Sequence, residues 1–232
     1  MFFKGIVAKG FIAKDITFQN TAGPIGHQAV ALRASADGFV FQSCCFEGYQ
    51  DTLYAHSGRQ FYRDCKISGT VDFLFGDSLA IFQNCELQAR IPSTGQQNTY
   101  TAQGKKEPNT VTGFSFQNTS LTAASGLNSS VAKSYLGRPW KTYSTTVFLK
   151  SNIGGHVDGA GWLSWNQSRP FEDTCTYGEY ENSGAGSDIS QRVNWSCVNS
   201  QMSASQAADF SVASLLPDTS FVPTDVPIDT SI

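Results

Sequence analysis

The feature that most constrains the fold is a tetrapeptide that returns along the chain: an aromatic, two polar residues, then a small one. It occurs as Phe18-Gln19-Asn20-Thr21, Phe41-Gln42-Ser43-Cys44, Tyr62-Arg63-Asp64-Cys65 and Phe82-Gln83-Asn84-Cys85, with weaker copies at Phe116-Gln117-Asn118-Thr119 and Phe148-Leu149-Lys150-Ser151. The aromatic positions step by 23, 21, 20, 34 and 32 residues. Around each copy apolar and polar residues alternate, as in Asp15-Ile16-Thr17-Phe18, which is the period of a strand. Short strands at a period of about twenty residues describe a solenoid. A leucine-rich horseshoe shares the period but needs spaced Leu, which is sparse here. The chain is therefore expected to be all-β, a parallel β-helix, right-handed because parallel crossovers nearly always are.

On this reading residues 1–232 form a single domain. Coils run to about residue 200, and residues 201–232 form a tail that packs back, with a short helix at Ala204–Phe210. Successive turns lie about 4.8 Å apart, so residues one period apart in sequence become neighbours in space. The two longer steps read as insertions, from Arg90 to Lys106 and from Ala123 to Trp140, of the kind that rim a binding surface.

Composition removes several function classes. With a net charge of -3 and a pI near 5.6 there is no basic stripe to neutralise phosphates, so a nucleic-acid partner is not expected. No run of 18 apolar residues offers a membrane span. The six Cys (44, 45, 65, 85, 175 and 197) include no CxxC pair and no His at ligand spacing, so neither a metal nor a cofactor is expected. Sequons at Asn118, Asn128, Asn166 and Asn194 fit a secreted, disulfide-permissive protein. Met1-Phe2-Phe3-Lys4-Gly5 does not have the pattern of a signal peptide.

The candidate chemistry lies in Gly48-Tyr49-Gln50-Asp51-Thr52-Leu53-Tyr54 and in Gly69-Thr70-Val71-Asp72-Phe73-Leu74-Phe75-Gly76. Asp51 and Asp72 are 21 residues apart, and Gln28 precedes Gln50 by 22, so the coil stacks one carboxylate on the other and one amide on the other. A lone Asp in a loop usually caps a turn. Two at ladder spacing titrate as a unit: one is kept protonated as an acid, the other charged as base or nucleophile. Stacked amides suit a developing oxyanion, although an amide ladder that only steadies the stack is equally compatible with the spacing. Arg138 could fork onto a carboxylate, and Trp140, Trp162 and Trp165 offer flat faces on which sugar rings stack. The three His fall in no obvious triad and no Gly-x-Ser-x-Gly elbow is present, so a serine hydrolase is not expected.

With these residues in view the chain resembles the plant-type pectin methylesterases, from about Gly10 to its end. The resemblance rests on Phe11-Ile12-Ala13-Lys14-Asp15-Ile16-Thr17-Phe18-Gln19-Asn20-Thr21-Ala22-Gly23-Pro24, His27-Gln28-Ala29-Val30-Ala31-Leu32, Tyr49 to Tyr54, Gly69 to Gly76, Tyr135 to Trp140 and Gly178-Glu179-Tyr180. It implies an extracellular, cell-wall enzyme acting as a monomer on methylesterified homogalacturonan, with a proteinaceous inhibitor as a further partner. By that resemblance Asp72 is the nucleophile, Asp51 the acid and then base, and Gln28 and Gln50 the oxyanion donors. Arg138 orients Asp72, while Trp140, Trp162 and Tyr54 line the subsites. Asp77 departs from the family's usual Asn and adds a carboxylate close to Asp72. The family's domain has further turns before Phe11, so the alternative reading is a truncated, non-catalytic β-helix that only binds pectin or the inhibitor. A β-helical pectin lyase is a weaker third reading. Cys44, Cys65 and Cys85 share one slot, leaving their pairing open, and Cys175 has Cys197 as a potential partner.

Overall fold

The structure, a computed structural model, describes residues 5–166 and 171–232. The Met1–Lys4 stretch and the last two residues of the Asn166 sequon lie outside the described residues. Three parallel sheets run along the molecule. Sheet A takes, in spatial order, Gly5–Ile6, Leu32–Ser35, Leu53–Ser57, Leu74–Gly76, Asn98–Gln103 and Ser134–Gly137. Sheet B runs through eight strands from Ile12–Lys14 to Val198–Asn199, and sheet C through six from Thr17–Gln19 to Asn152–Ile153. Every neighbour in a sheet is one coil away, as where Leu32, Leu53, Leu74 and Thr101 fall in one register. This is the expected parallel β-helix.

The aromatic repeat becomes a ladder. Phe41, Tyr62, Phe82, Phe116 and Phe148 share one register position of sheet B, and successive rings stack with centroids 4.9, 4.5, 4.7 and 4.6 Å apart. Such pairs add roughly 0.5–1.5 kcal/mol each beyond the apolar area they bury. The rung after Phe148 is Glu179, whose carboxylate closes the end of the core by pairing with Arg192 at 2.8 and 3.0 Å.

One copy of the repeat is out of place. Phe18 is not the first rung: Ala13 pairs with Phe41, whereas Phe18 lies in sheet C, stacked on Phe46. The element that does repeat from the start is the turn between sheets B and C. There Asp15, Ser43, Asp64, Asn84, Asn118, Lys150 and Glu181 all take φ between 46 and 54°, a left-handed bend that Asp and Asn tolerate best. Asn20 does not share it, so the first turn is Asp15-Ile16, three residues ahead of Phe18.

The slot after that bend holds Ile16, Cys44, Cys65, Cys85, Thr119 and Ser151, whose carbonyls, Ile16 to Thr119, each accept from the next coil. Cys44, Cys65 and Cys85 are therefore stacked core thiols with no disulfide among them, and burial pushes the Cys65 thiol well above the ordinary range. Cys175 and Cys197 form a disulfide.

Each of the two expected insertions contributes one strand to the coil. Asn98–Gln103 and Ser134–Gly137 belong to sheet A and are buried, and most of the remainder of each insertion is irregular. Their polar composition concealed this, because several of the polar groups pair inside the coil, while Asn98 Oδ1 and Gln103 Nε2 are buried without a partner among the described residues. Thr101 donates to Leu136 O, Asn98 donates to Arg90 O, and the Gln103 side-chain oxygen Oε1 accepts from the N–H groups of Lys105 and Thr145.

The tail forms two short helices, Ala204–Ala208, opened by a Ser203/Gln206 capping box, and Val212–Leu215. They lie on the outer face of sheet B, where Val212, Leu216 and Val226 cover Val40, Phe61 and Ile81. Lys14–Asp225, Arg59–Asp218 and Arg63–Asp229 pair coil with tail. Among the described residues no helix is long and apolar enough to cross a membrane.

Candidate active site

The site forms where the chain enters sheet A. Asp51 and Asp72 precede the paired strands that begin at Leu53 and Leu74, and both take left-handed backbone, φ 63 and 51°. The Asp51 N–H donates to Val71 O, which sets Asp51 over Asp72. The Ala29 N–H donates in the same way to Gln50 O, setting Gln28 over Gln50. Thr52 O then accepts from both Ala31 and Leu32. This one-residue irregularity is why the amides repeat at 22 and the carboxylates at 21.

Two glycines let the coils approach here. A Cβ on Gly69 would fall 2.6 Å from the Thr52 hydroxyl oxygen and 2.7 Å from Tyr49 O of the preceding coil, and one on Gly76, at φ 130°, would fall 1.9 Å from Ala55 O.

Asp72 is 6% exposed and its carboxylate is held on three sides. Arg138 donates from Nε to Oδ1 at 2.8 Å and from Nη2 to Oδ2 at 2.7 Å, a bidentate fork. The Thr99 hydroxyl donates to Oδ1 at 2.5 Å. Burial works against the Arg138 charge, but its bonds to Asp72 outweigh this and hold the guanidinium above its ordinary value. Asp51 has no such cation to itself. Burial first, and the Asp72 charge second, push its carboxyl up from 3.8 to about 7, with Arg138 opposing. The two carboxylates thus differ in surroundings, Asp72 fixed on a guanidinium and Asp51 raised toward neutrality mainly by burial.

These groups open on a cleft of about 330 Å³ that also takes in Gln28, Gln50, Phe75, Ala102, Trp140 and Trp165. Neither glutamine amide is bonded to the other or to another described residue, so both are available to a ligand and neither serves as a rung of an amide ladder. Tyr54 stacks on Phe75 at 4.3 Å, and Trp140 stands edge-on to both, at 6.4 and 6.0 Å.

Trp162 is not in the cleft. It is 1% exposed and stacks on Tyr177 at 4.0 Å inside the coil, because its pairing with Gly137 turns the side chain inward. Trp165 takes that place, its ring 4.5 Å from the Arg138 guanidinium. Asp77 stands apart from the pair. It accepts from the Thr112 hydroxyl at 2.6 Å, lies near Lys105, Lys106 and His56, and is raised chiefly by burial.

Sequence reasoning missed Thr99 and Ala102, and it gave Phe75, inside the candidate segment Gly69 to Gly76, no role of its own. Thr99 lies 27 residues from Asp72, off the 21-residue step, in a segment read as a loop. Among the described residues no cluster of three or more His, Cys, Asp or Glu has metal-binding geometry. The arrangement offers a carboxylate held on a guanidinium, a second one raised toward neutrality by burial and two amides beside an aromatic wall, a set suited to acyl transfer.

Known proteins carry the same framework. The Pectinesterase family profile matches residues 4–219. Pectinesterase 1 of Arabidopsis thaliana is 48% identical over 218 residues, and pectinesterase 3 of Phaseolus vulgaris is 49% identical over 218. Each alignment takes in 94% of this chain, which spans 37% of the length of either relative. Among solved structures, pectin methylesterase from carrot superposes with a TM-score of 0.95 at 44% identity, covering 98% of this chain and 72% of that one. A pectin methylesterase in complex with a hexasaccharide gives 0.76 at 29%, covering 92% and 72%. The profile, the identities and the shared β-helix agree, and the chain belongs to the pectinesterase family of carboxylic ester hydrolases.

Proposed function

We propose that this chain hydrolyses the methyl esters of galacturonate units in pectin, with Asp72 as nucleophile. An Asp72 oxygen bonds to the ester carbonyl carbon, and the carbonyl π pair moves onto its oxygen, where the Gln28 and Gln50 amides donate to it. The oxyanion collapses, the C–OCH3 bond breaks, and the Asp51 proton passes to the leaving oxygen, releasing methanol. The acyl group is left on Asp72. Asp51, now a carboxylate, takes a proton from water as the water oxygen attacks the acyl carbon. Asp72 departs as carboxylate, and Asp51 holds a proton again. Arg138 steadies the Asp72 charge at both ends of the cycle. Trp140, Trp165 and Tyr54 face the sugar chain.

The observation that carries this reading is the divided pair: Asp72 locked on Arg138, Asp51 able to hold a proton up to about pH 7, both in one cleft with two unbonded amides. The work belongs outside the cell, in the wall, in keeping with the Cys175–Cys197 disulfide and the sequons.

The test is methanol release from highly methylated pectin by the purified chain, with circular dichroism on the same sample and a strong chelator present. Methanol from a β-rich protein, abolished in a folded Asp72→Ala, is the expected result. A folded chain that releases none would leave binding of pectin, or of a proteinaceous inhibitor, as its role. Chain cleavage to an unsaturated product without methanol, lost when the chelator is added, would favour the lyase instead.

A further inference from the structure

Thr99 occupies a position that the coil geometry alone would have left to a backbone carbonyl. One coil earlier, the Asp51 N–H donates to the main-chain oxygen of Val71. The equivalent N–H of Asp72 donates instead to the Thr99 side chain, 2.8 Å from Oγ1. The same hydroxyl donates to Asp72 Oδ1 at 2.5 Å. Since Oγ1 already accepts the Asp72 N–H on one side, its own proton is directed to the carboxylate on the other. Thr99 is fully buried, and its main chain is fixed by bonds from its N–H to Thr70 O and from the Phe73 N–H to its carbonyl, so the hydroxyl has little freedom to move.

The consequence lies in how the donors divide between the two carboxylate oxygens. Oδ1 accepts from Thr99 and from Arg138 Nε, which fills its two in-plane lone pairs. Among the described residues Oδ2 accepts only from Arg138 Nη2, which leaves it one lone pair free. We infer that Thr99 is a positioning residue that holds Asp72 in its left-handed turn and selects Oδ2 as the oxygen that attacks the ester. In that step the free Oδ2 lone pair forms the new bond to the carbonyl carbon, the π pair moves to the carbonyl oxygen, and Oδ1 stays on Thr99 and Arg138. Without the hydroxyl, the carboxylate can turn about its Cβ–Cγ bond and the two oxygens lose their distinct roles.

This inference rests on Asp72 being the nucleophile, and the experiment separates the two. Thr99→Val keeps the shape and removes both hydrogen bonds; Thr99→Ser keeps both. In steady-state methanol release we expect Thr99→Val to lose about 10- to 100-fold in kcat with KM within about twofold, the size of effect that misplacing a reacting group produces. Thr99→Ser should return to within about threefold of the wild type. Thr99→Cys, of similar volume and with a weaker donor, should fall between; it serves the same purpose if Thr99→Val does not fold.

A folded Thr99→Val with wild-type kcat overturns the inference, as does a loss that Thr99→Ser fails to restore, which would assign the effect to the methyl group. A Thr99→Cys rate at or below that of folded Thr99→Val also counts against it. If the wild type releases no methanol, or folded Asp72→Ala still turns over, the nucleophile reading itself fails.

Discussion

Asp51 ties the mechanism to a stability measurement. Its carboxyl is pushed from 3.8 to about 7, by burial above all. A carboxyl whose folded value lies above its unfolded one binds a proton more tightly in the folded state, so ionising it costs stability. Below about pH 3.8 the acid is neutral in both states and the cost vanishes. Between 3.8 and about 7 the cost grows with pH, and above 7 it is complete. The interval is about three units, and at about 1.36 kcal/mol per unit it sets a ceiling of about 4 kcal/mol. Asp51 opens onto the cleft, and solvent screening there reduces the expected cost to about 2 kcal/mol. Asp51→Asn removes this titration and keeps the shape. The unfolding free energy of the variant relative to the wild type should therefore rise by about 2 kcal/mol between about pH 4 and pH 8, whatever constant offset the amide introduces. Other groups titrate in both proteins and largely cancel. Urea unfolding at several pH values across that range measures it directly. A difference that stays flat would mean that Asp51 is an ordinary ionised carboxylate, unable to deliver a proton near neutrality, and the assignment of the leaving-group acid would go with it. The same variant should lose at least about a hundredfold in methanol release, the usual contribution of a positioned acid or base.

Arg192→Ala strands Glu179, a side chain only 3% exposed, at the end of the aromatic ladder and should cost about 3–5 kcal/mol in urea unfolding; a loss below about 1 kcal/mol would show that solvent already reaches the pair. Trp162→Ala should cost about 3–5 kcal/mol as a core truncation, whereas Trp165→Ala should leave stability nearly unchanged and raise KM for pectin; the reverse pattern would put Trp162 back in the cleft. Replacing Cys175 and Cys197 by Ser together opens a 22-residue link and should lower stability by about 3 kcal/mol, read as a shift in the urea midpoint.

The architecture was legible because it is written in a spacing. A parallel coil places identical register positions about 4.8 Å apart, so any side chain that stacks well on its own kind recurs at the coil length. Phe41, Tyr62, Phe82, Phe116 and Phe148 announce the coil for this reason. The misreading of Phe18 has the same origin. Sheet C has its own ladder in Phe18 and Phe46, and an aromatic followed by Gln-Asn looks alike on either sheet. Only the left-handed bend at Asp15 tells them apart, and a bend is a property of backbone that residue type merely favours.

The site divides along the same line. Asp51, Asp72, Gln28 and Gln50 could be placed together from sequence because they belong to adjacent coils of nearly equal length. Thr99 and Arg138 reach Asp72 from the two longer coils, where added residues break the count: Thr99 stands 27 residues from Asp72 and Arg138 66, neither a multiple of 21. Periodicity therefore identifies which groups are stacked along the coil axis and says nothing about groups that enter from longer turns. The choice between Trp162 and Trp165 escapes it for a related reason. Both follow the last strand of sheet A, and which indole faces the core depends on a single backbone pairing, Gly137 with Trp162. Gly137 permits that pairing because any side chain there would collide with Thr101, a Cβ falling 2.0 Å from its hydroxyl oxygen. A side chain at 137 would push the coil apart at Arg138, the residue that holds Asp72, so the packing of the core and the geometry of the site are set by the same close approach.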